Sequence, residues 1–173
     1  GGVGKTTITK EMYNRYCISD QFEGNCFLAD FRKSSKHQGG LVKLQQTILF
    51  DILKYSSLKV SGVDWGISLI IERLCRKKIL LVLDDVNSLD QLKKLCGRCD
   101  WFGFGSRIII ITRDEGLLTK HHVHFKYHMK EMDHDKALKL FSLHAFQSDK
   151  PNNGFEQLTK LALQYAGGLP LAL

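Results

Sequence analysis

The sequence predicts an α/β fold, a parallel sheet layered between helices in a three-layer α/β/α domain, followed by a small helical unit. Three observations carry this. Helical and strand patterns alternate from Lys5 to about residue 129. Two short aliphatic runs, Ile79 to Leu83 and Ile108 to Ile111, each give way to polar residues, as strands buried on both faces of a parallel sheet do. Beyond residue 129 only helical patterns remain.

In chain order, GGVGKTT at residues 1 to 7 runs into a helix from Lys5 to Tyr16, where Ile8, Met12 and Tyr16 recur every four residues and so share a face. Asn25 to Ala29 (NCFLA) reads as a strand. Leu41, Leu44, Ile48, Leu49, Ile52 and Leu53 fall on spacings of three, four and seven, the strongest helical stripe in the chain. A helix follows from about Trp65 to Cys75, then the strand Ile79 to Leu83, whose carboxyl edge carries Asp84 and Asp85. Leu89, Leu92 and Leu95 mark a short helix, and Arg107 to Thr112 (RIIIIT) a second buried strand followed by Arg113 and Asp114. Phe125 to Met129 is expected as an edge strand. Asp133 can cap a helix carrying Ala137, Leu140, Phe141 and His144. The last helix carries Phe155, Leu158, Leu161, Ala162 and Tyr165, and Gly167 and Gly168 suit a left-handed C-terminal turn before Pro170.

Composition narrows the classes. With 173 residues, 43% hydrophobic and 25% charged, the chain can bury one sizeable core. Its aliphatic runs fall far short of the roughly 20 residues needed to cross a bilayer, so no membrane span is expected. The net charge of +7 is spread along the chain. Its densest cluster, Arg76, Lys77 and Lys78, falls where a helix hands over to a strand, which argues for a solvated basic face against a nucleic-acid footprint. Five cysteines, an odd number, and no Asn-x-Ser/Thr site fit a reducing cell interior. Cys96 and Cys99 form a C-x-x-C pair, with His121, His122 and His124 further on, but no second ligand pair stands at zinc spacing. The chain starts at Gly1 and stops inside a helical-looking stretch, so neither end need be a natural terminus.

GGVGKTT holds the last six positions of the phosphate-binding loop G-x-x-x-x-G-K-[ST], whose first Gly would lie two residues upstream. Such a loop brings backbone N–H groups up to phosphate oxygens in conformations that side chains would obstruct, which accounts for Gly1, Gly2 and Gly4 around Val3. Lys5 would reach the β- and γ-phosphates, and the Thr6 hydroxyl would complete the coordination of Mg²⁺. Thr7 closes the motif on a helix whose N-terminus faces the phosphates. An aliphatic strand ending in acid is what such a protein needs near its metal: one of Asp84 and Asp85 can serve Mg²⁺ while the other orients a water. Arg113, just past the next buried strand, stands at the sheet edge suited to sensing the terminal phosphate; a surface ion pair with Asp114 is the alternative.

GGVGKTT, KKILLVLDDVN (77 to 87), GSRIIIITRD (105 to 114), ALKLFSLHAF (137 to 146) and GLPLAL (168 to 173), in this order, resemble the motif series of the nucleotide-binding (NB-ARC) domain shared by plant disease-resistance proteins and apoptotic protease-activating factors. The resemblance covers nearly the whole chain. FLADFRKSS (27 to 35), GGLVKLQQTIL (39 to 49) and Asn87 resemble the branch with an N-terminal Toll/interleukin-receptor-like domain, since the coiled-coil branch usually has Trp where Asn87 stands.

The resemblance implies a P-loop NTPase domain over residues 1–129, with its first strand missing, and the first helical subdomain over residues 130–173. It implies ADP or ATP with Mg²⁺ as cofactors. Lys5 and Thr6 would act on phosphates and metal, Asp84 on the metal, Asp85 as water activator and Arg113 as phosphate sensor, with Pro170 against the base. Ile111 departs from the family, where a second Thr commonly stands. The implied function is a cytoplasmic switch of an immune receptor, with the nucleus as a further location: ADP holds it closed, ATP opens it, and slow hydrolysis resets it. Flanking Toll-like and leucine-rich-repeat domains would be its partners within one chain, with oligomerisation of the active form left open. The rival readings are a turnover ATPase or phosphotransferase on the same fold and a nucleic-acid-dependent ATPase.

Overall fold

The computed structural model describes residues 1–34, 37–54 and 58–173; Ser35, the last residue of FLADFRKSS, lies outside them. The chain divides into two compact units, Thr9–Lys126 and the pairing of Gly1–Ile8 with Tyr127–Leu173. Helix α1, Lys5–Ile18, begins in the second of these and continues into the first.

The unit Thr9–Lys126 is built on strands β1 (Gly24–Leu28), β2 (Ile79–Val86) and β3 (Arg107–Thr112), with helices α2 (Phe31–Ser34), α3 (Gly40–Leu53), α4 (Val63–Leu74), α5 (Leu89–Cys96) and α6 (Glu115–Lys120) between and after them. The sheet is parallel, in the order β1-β2-β3. Gly24 pairs with Ile79 and Leu28 with Leu83 on one side of β2, and Leu80 pairs with Arg107 on the other.

β2 has side chains covered on both faces, as its unbroken aliphatic run requires. Ile79, Leu81 and Leu83 enter the larger core with Ile48, Leu49 and Ile52 of α3, Ile70 and Leu74 of α4, and Leu92 and Leu95 of α5. Leu80 and Val82 point the other way, onto Tyr13 and Tyr16 of α1, Phe22 and Phe27. The result is three layers, with α1 on one face of the sheet and α3, α4 and α5 on the other.

A buried amide ties the three helices of the larger layer together. Gln45 of α3 donates from Nε2 to the carbonyls of Val63 and Lys94, 3.0 Å each, which join α4 and the end of α5 to α3. Gly66 of α4 makes room for it, because a Cβ there would fall on the Gln45 carboxamide.

Several expectations need correction. The inward face of α1 is turned by one residue: Thr9 is buried and Tyr13 and Tyr16 pack, while Ile8 and Met12 are exposed. Tyr13 wins because its ring meets Phe27 edge-on and its hydroxyl donates to Asn25 Oδ1 at 2.8 Å, so both its polar and apolar parts are satisfied. β2 runs on through both aspartates to Val86 instead of stopping at Leu83. β3 is half-covered over Ile108, Ile109 and Ile110, not buried on both faces, since no strand pairs with its outer edge among the described residues. The expected edge strand at Phe125 to Met129 does not form. Phe125 and Tyr127 are 92% and 88% exposed, and among the described residues no neighbouring strand offers them a ladder.

In the unit of Gly1–Ile8 and Tyr127–Leu173, α7 (His134–Phe146) packs on α8 (Glu156–Ala166), with the Phe146 ring 6.1 Å from Phe141 and 5.7 Å from Phe155. Asp133 caps α7 as expected, accepting from the Lys136 backbone N–H at 2.9 Å. Gly167 and Gly168 both adopt the left-handed conformation that ends α8. The apolar stripe read on α8 is not its buried face: Leu158, Leu161 and Tyr165 are exposed, and Thr159, Leu163 and Ala166 are buried. Periodicity locates an apolar face but not whether a neighbour covers it. Among the described residues no helix is long and apolar enough to cross a membrane.

Candidate functional site

The loop at residues 1 to 4 owes its shape to glycine. Gly2 and Gly4 have φ of 85° and 83°, a region that costs a residue with a Cβ about 1–2 kcal/mol. Between them Val3 keeps negative φ, so the backbone alternates in hand. Successive backbone N–H groups in such an alternation converge on one side and form a concave anion site. The Gly4 carbonyl then accepts from Ile8 N–H at 3.0 Å, which starts α1. Lys5, Thr6 and Thr7 stand in the first turn of this 14-residue helix, and that turn carries no acidic residue to oppose an anion.

Pro170 comes next to this loop through its neighbour. It opens a short 3₁₀ turn, Pro170–Ala172, and Leu171 N–H donates to the Gly2 carbonyl at 3.2 Å. A second bond in the same unit, Met132 N–H to the Gly168 carbonyl at 2.8 Å, holds the chain entering the turn. GLPL and GGVGKTT, at opposite ends of the motif series, are thus joined backbone to backbone.

The acids lie in the other unit. Asp84 is 6% exposed within β2, a carboxylate placed by the strand itself. Asp85 follows at φ 60°, where the β2–β3 register slips between Leu83 and Val86. Its carboxylate pairs with Arg32 of α2, Nε to Oδ2 3.2 Å. The slip is stabilised from β3: Thr112 Oγ1 donates to the Val86 carbonyl at 2.7 Å and accepts from Asp114 N–H at 3.0 Å. Arg113 projects from this corner, exposed and without an ion pair among the described residues. Asp114 does not pair with it, because the Asp114 carboxylate accepts from Leu117 N–H and caps α6.

Sequence reasoning assigned no part to Arg32, Thr112 or Leu171. Arg32 stands in FLADFRKSS just after Phe31 and shortly past β1, and no spacing in the sequence ties it to Asp85. Ile111, where a Thr was expected, is 8% exposed and packs with Leu80 and Val82. Cys96 is buried, and burial pushes its thiol up to about 12, while Cys99 is exposed. Among the described residues no three His, Cys, Asp or Glu side chains gather as a metal cluster, so the C-x-x-C pair has no companions.

A glycine-shaped loop running into a helix N-terminus, an aliphatic strand with a buried acid and the ordered motifs between them find their counterpart in one family: the NB-ARC domain matches residues 1–151. The chain belongs to the NB-ARC family. It is a nucleotide-binding P-loop NTPase domain of α/β architecture. The NB-ARC chain is similar to the TMV resistance protein N of Nicotiana glutinosa, 39% identical over 178 residues covering 100% of the chain and 15% of that protein. It is 41% identical over 172 residues to the disease resistance-like protein DSC1 of Arabidopsis thaliana, covering 99% of the chain and 14% of that protein. It is 40% identical over 174 residues to the disease resistance protein RPV1 of Vitis rotundifolia, covering 100% of the chain and 12% of that protein. The chain therefore spans 12% to 15% of the length of these curated relatives.

Proposed function

We propose that this NB-ARC domain is the nucleotide-held switch of a plant immune receptor of the Toll-like branch, with residues 1–129 as the nucleotide-binding domain and residues 130–173 as the first helical subdomain. ADP holds the receptor closed, ATP opens it in the cytoplasm or nucleus, and slow hydrolysis returns it. Toll-like and leucine-rich-repeat domains flank it in the whole protein. The observation that carries the reading is the alternating-hand loop of Gly2 and Gly4 bound through Leu171 to the GLPL turn. A phosphate-reading loop that shares a backbone bond with a helical unit can pass a change in the nucleotide to that unit.

The roles follow from the chemistry of each side chain. Backbone N–H groups from Gly1 to Gly4 cradle phosphate, and Lys5 adds a charge-assisted contact. Thr7 donates its backbone N–H from the helix start. Pro170 offers a flat apolar surface to the base, and Arg113, exposed and without an ion pair among the described residues, is available to the terminal phosphate. The Thr6 hydroxyl and the Asp84 carboxylate are hard oxygen donors of the kind Mg²⁺ takes, and a carboxylate as buried as Asp84 suits a cation. When bound, Mg²⁺ supplies charge neutralisation on the phosphates. Asp85, half-exposed, accepts a hydrogen bond from the attacking water.

The test is Lys5→Ala in the full-length receptor, with ADP binding followed by calorimetry. Loss of micromolar binding is expected, since no neighbour in the loop supplies a cation. Retained micromolar binding overturns the assignment. A switch should also hydrolyse ATP far more slowly than the roughly 1–1000 per second of turnover enzymes; a rate in that range favours a metabolic ATPase.

A further inference from the structure

We infer that Arg32 is a positioning residue for hydrolysis, holding the Asp85 carboxylate in the orientation from which it accepts the proton of the attacking water. The inference rests on the reading of Asp85 given above. Asp85 sits where the ladder between β2 and β3 loses its register, so sheet hydrogen bonding does not fix the direction of its side chain. Its backbone is in the left-handed region at φ 60°, a conformation that persists in a non-glycine residue only when the surroundings hold it. Among the described residues, the partner the structure gives to its carboxylate is Arg32, 3.2 Å from Oδ2.

Arg32 is itself held firmly. It lies on α2, whose first residue, Phe31, is 0% exposed in the larger core. The turn is closed by Asp30, at φ 51°, whose carbonyl accepts from Lys33 N–H at 2.9 Å and Ser34 N–H at 3.0 Å. α2 thus acts as a bracket that carries a guanidinium from the packed core to the strand end. The Arg32 Nε atom is buried and makes no aligned hydrogen bond, although it is close to Oδ2. A buried N–H without an aligned acceptor is costly, and the Asp85 carboxylate 3.2 Å away is an acceptor that a small side-chain turn would align. In this role the ion pair at Oδ2 orients the carboxylate so that Oδ1 can accept from the water. In the step itself the water oxygen bonds to the terminal phosphorus of ATP and the bond from that phosphorus to the ADP oxygen breaks. The water's proton passes to Asp85 and on to the released phosphate. Arg32 touches none of the reacting atoms.

The experiment measures single-turnover ATP hydrolysis and ATP affinity in the full-length receptor for Asp85→Asn, Arg32→Gln, Arg32→Lys and the Arg32→Gln/Asp85→Asn pair. Each variant is first checked for ADP-dependent thermal stabilisation, which requires a folded site. Arg32→Gln should slow hydrolysis roughly 10- to 100-fold, the scale of a misplaced catalytic group, with ATP affinity within about twofold of the parent. Arg32→Lys should recover part of the rate, because it restores the charge without the planar fork. The double variant should be no slower than Asp85→Asn alone, since Arg32 has nothing left to position. Multiplying losses in the double variant, or a parental rate in Arg32→Gln, overturns the proposal. A parental rate in Asp85→Asn overturns the reading of Asp85 and this inference with it. If Arg32→Gln lacks ADP stabilisation, Arg32→Lys decides: an unchanged rate in that folded variant, with no partial loss, also overturns it.

Discussion

Replacing Asp85 separates two effects that a single alanine substitution would confuse. At φ 60° a Cβ crowds the following carbonyl and costs about 1–2 kcal/mol, a cost that Asp and Asn lower with short polar side chains that bond locally. Alanine carries the Cβ without that relief. Both Asp85→Ala and Asp85→Asn also lose the Arg32 pair, whose side chains are 38% and 32% exposed, so water screens it and its loss costs about 0.2–1 kcal/mol in either variant. The pair cancels in the comparison and the backbone remains. Asp85→Ala should thus be less stable than Asp85→Asn by about 1 kcal/mol, which lowers the transition of a domain this size by roughly 2–4 °C. Asp85→Gly should fall between them, since glycine accepts the φ but adds about 0.5–1 kcal/mol of chain entropy to be lost on folding. The assay is the ADP-dependent thermal transition of the full-length protein, with single-turnover hydrolysis on the same samples. Both substitutions should slow hydrolysis while ATP affinity holds, because a water-orienting acid matters most in the transition state. Equal transitions for Ala and Asn would refute the strain argument, and lost Mg²⁺-dependent ATP binding in Asp85→Asn would exchange the roles of Asp84 and Asp85.

Leu81→Ala, at a fully buried position in the middle of β2, should cost about 2–5 kcal/mol and be read as a lowered melting transition; a loss under about 1 kcal/mol would mean the site collapses around the cavity. Under native conditions a thiol-alkylating reagent should label exposed Cys75 and Cys99, and reach Cys26 and Cys96 only after denaturant is added, because burial pushes both buried thiols up; Cys96 labelling as fast as Cys99 would contradict this. The Asp133 carboxyl is held below its ordinary value by its hydrogen bonds to the Lys136 side chain and backbone. Its contribution to α7 is therefore complete above the unfolded value of about 3.9 and is lost as pH falls through the lower folded value. Carboxyl NMR should place the Asp133 midpoint below that of an exposed, unpaired aspartate, and an equal midpoint would remove the cap from the acid response of α7.

Legibility followed how far one residue's environment depends on distant ones. Ile79 to Leu83 could be read as a strand covered on both faces because five aliphatic residues in a row suit no half-exposed surface, and the stripe from Leu44 to Ile52 left one inward face for α3. The extension of β2 through Asp84 to Val86 could not be read. Carboxylates signal a strand's end, and their retention depends on a register slip and on Thr112 from another strand. The face of α1 was misread because Tyr13 looks amphipathic until Asn25 and Phe27 are beside it. Of the candidate site, glycine spacing and the paired acids were visible as types at intervals. Arg32 was visible only as a letter, since its closeness to Asp85 comes from the anchoring of Phe31 and not from any spacing.

The bond from Leu171 N–H to the Gly2 carbonyl has a consequence for the order of events during synthesis. The first residues of this sequence leave the ribosome well before the partner of that carbonyl has been polymerised. At about 5–20 residues per second, the interval is on the order of 10–30 s. Closing so long a span costs little more entropy than closing one half its length, so the delay is set by translation and not by the chain's search. Slow codons placed late in the message would lengthen the period in which the glycine loop waits without its GLPL tether, and pulse-labelled nascent chains halted before Leu171 should be cut in the loop by protease more readily than chains released beyond it.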